Sequence, residues 1–270
     1  MTDEAIGEHE AIGEHVTIAP EGDGLATLRV DRPPVNALSL QVWQELGEAA
    51  RRLAAADEVA AVVLWGGPKI FAPGADVEEL AGLSHAEIQA VAPRLQEAVR
   101  GLAQLPQVTV AAINGYALGG GCELALSADF RLAAANAQLG QPEIKLGVIP
   151  GAGGTQRLAR LVGVQRAKEM VYGGELYDAT ACEAMGLVDA VHPADEVHDA
   201  AVQLARRYAA GPFALRLAKQ AIDDGVDMDL DHALRLETRL FAASFATEDR
   251  TTGMRSFLES GPGQATFHRR

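Results

Sequence analysis

Short apolar runs alternate with longer amphipathic stretches along the first two thirds of the chain, and amphipathic stretches alone follow. Strand-like alternation occupies residues 15–18 and 26–30, with Glu-Gly-Asp-Gly at 21–24 supplying a hairpin turn. Ser39 is an N-cap candidate for an amphipathic helix to about residue 55, with Leu40, Val42, Trp43, Leu46, Ala50 and Leu53 on its apolar side. The continuous apolar run 61–65, closed by Gly-Gly-Pro, suits a strand buried on both faces, and 108–113 and 130–134 repeat the pattern. Helical stretches at 85–104 and 120–127 lie between these runs, so the spacing predicts parallel crossovers. From residue 153 the chain reads as helices at 153–161, 164–171, 178–184, 196–209, 212–223, 230–245 and 247–259. A perfect duplication of Glu-Ala-Ile-Gly-Glu-His at 4–9 and 10–15 precedes the first strand and reads as a disordered tail. The expected organisation is a tail over 1–14, an α/β core over 15–195 and a helical C-terminal region over 196–270.

Composition narrows what such a domain does. The 270 residues, 48% of them hydrophobic, suffice for one large core. Lys and Arg number 23 against 37 Asp and Glu, a formal charge of −14 that repels polyanions, so no nucleic-acid partner is expected. No apolar run reaches the roughly 18 residues of a membrane span, so no membrane insertion is expected, and the acidic N-terminus has neither the basic nor the apolar region of a signal peptide. Cys122 and Cys182 are too far apart for a CxxC site and too few for a disulfide framework, which fits a cytoplasmic location.

The candidate chemistry begins at Asn114, where Asn-Gly-Tyr-Ala-Leu-Gly-Gly-Gly-Cys-Glu-Leu-Ala runs from a strand into a helix. Consecutive glycines at a helix start let a ligand approach free backbone N–H groups. Glu123 follows Gly120 by three residues, close enough to share a ligand with its N–H, although the same spacing suits a carboxylate complementing the helix dipole. Twenty residues on, Pro142 fixes the backbone before Glu143, either a solvated turn residue or a second carboxylate for the same pocket. Two glutamates in one pocket divide acid and base work, because burial and repulsion push their proton affinities apart. A third segment, Phe-Ala-Pro-Gly-Ala-Asp at 71–76, again joins a glycine turn to a helix start and offers a second N–H for an oxyanion hole, or is an ordinary loop.

These motifs, with Gly-Gln-Pro-Glu-Ile at 140–144, Pro-Gly-Ala-Gly-Gly-Thr-Gln-Arg-Leu at 150–158 and the stretch 245–259, resemble the signature of the crotonase family, and of enoyl-CoA hydratases in particular, over residues 15–260. The resemblance implies a ββα-superhelix core with a helical C-terminal trimerisation region, assembled as a homotrimer or as a homohexamer of two trimers. It places the catalytic pair on Glu123 and Glu143, and the oxyanion hole on the backbone N–H groups of Ala75 and Gly120. Substrate contacts fall on Ala75, Asp76, Val77 and Gly120. It implies an acyl-CoA substrate and no cofactor or metal, coenzyme A entering as part of the substrate. The implied reaction is hydration of a trans-2-enoyl-CoA to a 3-hydroxyacyl-CoA in fatty-acid β-oxidation; alternatives are a Δ3,Δ2-enoyl-CoA isomerase and a non-catalytic acyl-CoA-binding protein. Both glutamates are present, which favours the hydratase. Glu78 stands where several hydratases carry a lysine, so Arg32 and Lys69 are the candidates for the CoA phosphates, and His268, Arg269 and Arg270 read as a free charged tail.

Other motifs carry less. Asp227, Asp229 and Asp231 open like a calcium loop, but His232 and Thr238 occupy the positions that need Gly and Glu. His192, Asp195, Glu196 and His198 have no metal-site spacing, no Gly-Xaa-Ser-Xaa-Gly elbow occurs, and Cys122 reads as a packing residue.

Overall fold

The structure is a computed structural model that describes residues 6–7 and 9–270. Its central layer is a sheet in the order β1 (Glu10–Ala11), β2 (Val16–Gly22), β3 (Leu25–Val30), β4 (Ala61–Trp65), β5 (Val108–Ile113), β7 (Phe130–Ala134) and β10 (Ala190–His192), with β6 (Tyr116–Leu118) outside it. The first pairings are antiparallel and those from β3 to β10 are parallel. Every residue of β5 is buried, as a continuous apolar run flanked on both sides requires. The hairpin turn falls at 22–24, where Gly22, Asp23 and Gly24 all take positive φ.

Helix α1 (Leu40–Ala54) starts as the sequence predicts, with Ser39 Oγ accepting from Val42 N at 3.2 Å. It buries the stripe Val42, Trp43, Leu46, Ala49, Ala50 and Leu53. Glu45 is also buried on this helix, and its carboxylate accepts from Glu14 N at 3.0 Å and His15 N at 2.9 Å. Those bonds, the β1–β2 pairing and an ion pair between Glu10 and Arg52 order part of the segment expected to be a disordered tail. Each charge-assisted hydrogen bond contributes roughly 1.5–3 kcal/mol against the roughly 1–2 kcal/mol per residue that fixing this segment costs. Residues 1–5 and 8 of that tail lie outside the described residues.

Helices α2 (Val77–Ala81) and α3 (His85–Ala103) connect β4 to β5; α3 opens with a capping box between Ser84 and Glu87 and packs on α1. Helix α4 (Gly120–Ala125) follows β6, and β6 pairs in parallel with β8 (Gln138–Gly140), which pairs with β9 (Tyr177–Asp178) in a separate small sheet. A 3-10 helix, Pro142–Leu146, leaves β8. Then come α5 (Gly154–Val162), α6 (Val164–Gly173), α7 (Ala179–Ala184) and α8 (Val197–Ala209).

The helical C-terminal region expected from residue 196 begins, as a separate layer, only after α8. Val197, Ala201, Ala205 and Ala209 recur every four residues and lie buried in the core, so α8 belongs to the sheet it covers. Helices α9 (Ala214–Gly225) and α10 (Leu230–Ser244) bury no residue, and α11 (Glu248–Ser260) buries Asp249 alone. Asp249 accepts from Phe213 N and His268 N, each at 2.8 Å. Arg269 Nη1 donates to Ala209 O at 2.9 Å, so the segment expected as a free charged tail is fastened to the body.

Candidate active site

Three backbone registers assemble the site. Leu118 on β6 pairs with Gly140 on β8, and Gly119 N extends that ladder to Gly140 O at 2.9 Å. This sets the start of α4 beside the 3-10 helix, hence Glu123 beside Glu143. Ala72 bridges Ala117, and Ala75 bridges Leu38, which hangs the 72–76 segment between β6 and the entry to α1. At the second bridge Leu38 N donates to Gly74 O at 2.8 Å and Asp76 N to Leu38 O at 3.0 Å. The N–H of Ala75 therefore points away from Leu38, as alternate groups of a parallel ladder do.

Each of the three glycines has its own steric reason. Gly119 has φ +49°, and a Cβ there would lie 3.1 Å from Glu143 Oε1. A Cβ on Gly120 would meet Trp43 Cζ2 at 3.1 Å and Ala75 N at 3.6 Å, which places the Ala75 amide against Gly120. A Cβ on Gly121 would overlap Ala72 O at 2.0 Å. Gly120 N sits in the first turn of α4, where no intrahelical acceptor exists. Among the described residues neither this N–H nor that of Ala75 has an acceptor, so two unengaged donors lie side by side.

Glu123 is 3% exposed, and its Oε1 accepts from Ala152 N and Gly154 N, both at 2.7 Å. Burial pushes its carboxyl above the usual range, while those two N–H groups and the nearby Arg157 oppose the shift. Glu143 is pushed up to about 7, first by burial and further by the negative charge of Glu123, with its own backbone N–H opposing. Gln141, fully buried, donates its amide to Glu143 Oε1 at 2.8 Å and Oε2 at 3.2 Å in the orientation that satisfies both groups. Burial raises both carboxyls and both accept hydrogen bonds that oppose the rise, but the charge of Glu123 raises Glu143 further, so Glu143 is the member that holds a proton near neutrality.

The remaining sequence candidates separate. Asp76 caps α2, accepting from Glu79 N at 3.2 Å and from Arg32 Nη2 at 2.8 Å, and those bonds hold its carboxyl below the usual range. Arg32 also donates to Ala37 O at 2.9 Å. It is thus engaged with the 75–77 segment, whereas Lys69 is exposed and forms no ion pair among the described residues. Val77 and Glu78 are exposed on α2. Cys122 is fully buried and its thiol pushed far up by burial, which leaves it an inert packing group. Asp229 is the N-cap of α10.

Four polar residues were not singled out from the sequence. Besides Gln141 and Arg157, Asn36 bridges the loops by accepting from Arg32 N at 2.8 Å and donating to Ile70 O at 3.2 Å. Glu79 accepts from Leu40 N at 2.7 Å. Trp43, which abuts Gly120, also lines a groove of about 580 Å3 between α1 and α3, with Leu40, Gly47, Val91 and Leu95 among its apolar walls and Arg51, Arg94 and Glu97 among its polar ones. No cluster of His, Cys, Asp or Glu suited to a metal occurs among the described residues, and none of their helices is long and apolar enough to cross a membrane.

The mixed α/β core with its helical C-terminal layer matches solved enoyl-CoA hydratases along nearly the whole chain, and is the crotonase fold. The family model for enoyl-CoA hydratase/isomerase matches residues 21–268, and the chain belongs to that family. It is 42% identical over 238 residues to the probable enoyl-CoA hydratase EchA17 of Mycobacterium tuberculosis, covering 88% of this chain and 91% of that protein. Against the probable enoyl-CoA hydratase echA8 of Mycobacterium bovis the identity is 41% over 255 residues, covering 93% and 98%. The crystal structure of an enoyl-CoA hydratase from Bacillus anthracis superposes with a TM-score of 0.88 at 36% identity, covering 94% of this chain and 99% of that one.

Proposed function

We propose that the protein hydrates trans-2-enoyl-CoA thioesters to 3-hydroxyacyl-CoA, as a cytoplasmic step of fatty-acid β-oxidation that needs no metal or cofactor. The observation that carries this reading is the unequal pair: Glu123 with two N–H donors on its carboxylate, and Glu143 with a carboxyl group pushed up to about 7. Glu123 is the base. The oxygen of a bound water forms a bond to C3 while its proton passes to Glu123. The electron pair of the 2,3-double bond moves toward the thioester oxygen, where Ala75 N–H and Gly120 N–H receive the growing charge. The pair then takes the Glu143 proton at C2, so one H and one OH are added. Removing one such oxyanion donor typically costs about 10²- to 10³-fold in rate.

The groove behind Trp43 is the candidate site for the distal acyl chain, and Lys69 is the cation left for the CoA phosphates. Assembly as a homotrimer or homohexamer is supported by apolar side chains on the unburied C-terminal helices, among them Leu230 at 72% exposure and Phe241 at 65%. The test is loss of conjugated enoyl-thioester absorbance on mixing with crotonyl-CoA, with the product identified by chromatography. Formation of 3-hydroxybutyryl-CoA supports the reading. Tight binding without turnover overturns it in favour of a carrier, and turnover of a 3-enoyl-CoA alone overturns it in favour of an isomerase.

A further inference from the structure

Arg157 has no part in the chemistry above, yet it occupies the other side of the backbone turn that holds Glu123. The turn 151–154 presents Ala152 N and Gly154 N to Glu123 Oε1. Its carbonyl side faces Arg157, whose Nη1 donates to Ala152 O at 3.2 Å. The guanidinium lies so close over Gly153 that a Cβ there would come within 2.0 Å of Nη1, and Gly153 has φ +109°. A second clamp comes from α3, where Gln96 Nε2 donates to Gly151 O at 2.7 Å. Arg157 is half-buried, and its charge favours the ionised form of Glu123.

We propose that Arg157 is the positioning residue for Glu123: it fixes the 151–154 turn, and with it the Ala152 and Gly154 N–H groups, against the carboxylate and sets a positive charge beside it. The proposal rests on the hydratase reading and deepens it. The charged and titratable groups facing Glu123 are Arg157 from α5, Glu143 from the 3-10 helix and the neutral Cys122 thiol of its own helix. Gln141 and Gln96 bring only uncharged amides, and β6 brings the exposed Tyr116. Among the described residues Arg157 is the cation whose charge opposes the rise of the Glu123 carboxyl, beside the two N–H groups of the turn that it clamps.

The experiment compares the full-length assembled wild type with Arg157→Gln and Arg157→Lys in three readouts. The first is kcat/KM for crotonyl-CoA hydration against pH, the second the affinity for unreactive butyryl-CoA, and the third the titration of the Glu123 carboxyl by 13C resonance, assigned through Glu123→Gln. Arg157→Gln is expected to lower kcat at neutral pH by roughly tenfold or more, to move the acidic limb and the Glu123 midpoint to higher pH, and to leave butyryl-CoA affinity within about twofold. Arg157→Lys, which keeps the charge, is expected to retain the wild-type midpoint. A fall in kcat with both limb and midpoint unmoved in Arg157→Gln reduces Arg157 to a structural role and overturns the proposal. If Arg157→Gln does not fold, a midpoint raised in Arg157→Lys overturns it equally. Wild-type protein that fails to hydrate crotonyl-CoA defeats the hydratase reading alone, because the carboxyl titration still decides what Arg157 does to Glu123.

Discussion

Glu123 and Glu143 lie on either side of Gly119: Glu123 N donates to Gly119 O at 2.9 Å, and a side chain on Gly119 would run into the Glu143 carboxyl at 3.1 Å. One glycine thus lets two acids share a pocket, and the surroundings then make them unequal. Replacing either by its amide keeps the shape and removes the proton chemistry. Glu123→Gln and Glu143→Gln are each expected to cut crotonyl-CoA turnover by about two orders of magnitude or more while leaving butyryl-CoA affinity nearly unchanged. Near-normal turnover in either variant would remove that residue from the mechanism.

The raised affinity of Glu143 has two pH consequences with definite sign. Hydration needs Glu143 protonated, so kcat/KM is expected to fall as pH rises through about 7. Folding stability follows the same group. The folded protein binds the proton up to about 7 and the unfolded chain only up to the ordinary glutamate value of 4.5, so in that window the folded state carries more protons and stability declines as pH rises. Glu143→Gln removes the penalty, and calorimetry is expected to show a larger gain in Tm over wild type at pH 8.5 than at pH 5.

Two glycine-to-alanine changes are expected to act in opposite directions. Gly121→Ala drives a methyl into Ala72 O, a fixed backbone atom, and is expected to cost about 3 kcal/mol or to abolish folding. Gly47→Ala on α1 meets Ala98 Cβ at 3.7 Å, Ala98 Cα at 3.8 Å and Arg51 Nη1 at 4.0 Å, all ordinary contacts, and is expected to stabilise by about 0.5–1 kcal/mol through helix propensity. Urea denaturation of the two variants beside wild type decides both.

A larger side chain at the same position tests the groove. Gly47→Leu narrows the space between α1 and α3 without touching the carboxyl pair. Its kcat/KM for 2-decenoyl-CoA is expected to fall at least tenfold, while that for crotonyl-CoA changes by less than about threefold. Equal losses on both substrates would separate the groove from acyl-chain recognition.

Arg32 and Asp76 form a part-buried ion pair that ties the Ala75 segment to the loop before α1, with side chains 27% and 20% exposed. If Arg32 acts through Asp76, Arg32→Ala and Asp76→Ala lower turnover to a similar extent and the double variant falls little further, a coupling of about 1 kcal/mol in a double-mutant cycle. Independent, additive losses would assign Arg32 to substrate instead.

The sequence alone determined the elements whose residues carry strong local signals. Ser39 opens α1 because a hydroxyl there satisfies an orphan N–H, and the runs 61–65 and 108–113 are central strands because continuous apolar residues need cover on both faces. Glu123 and Glu143 were legible as candidates by their place beside glycine and proline. Their meeting was not. It depends on β6 and β8, three-residue strands with too little pattern to read, paired across a separation of 22 residues, Leu118 with Gly140. The same holds for Arg157 and Gln141, whose significance is a distance to another segment, and for Arg32, whose likeness to a free cation ends at Asp76. Propensity and periodicity act over a few neighbouring residues, whereas the proton affinities of this site arise from burial and from charges that only the folded chain brings together.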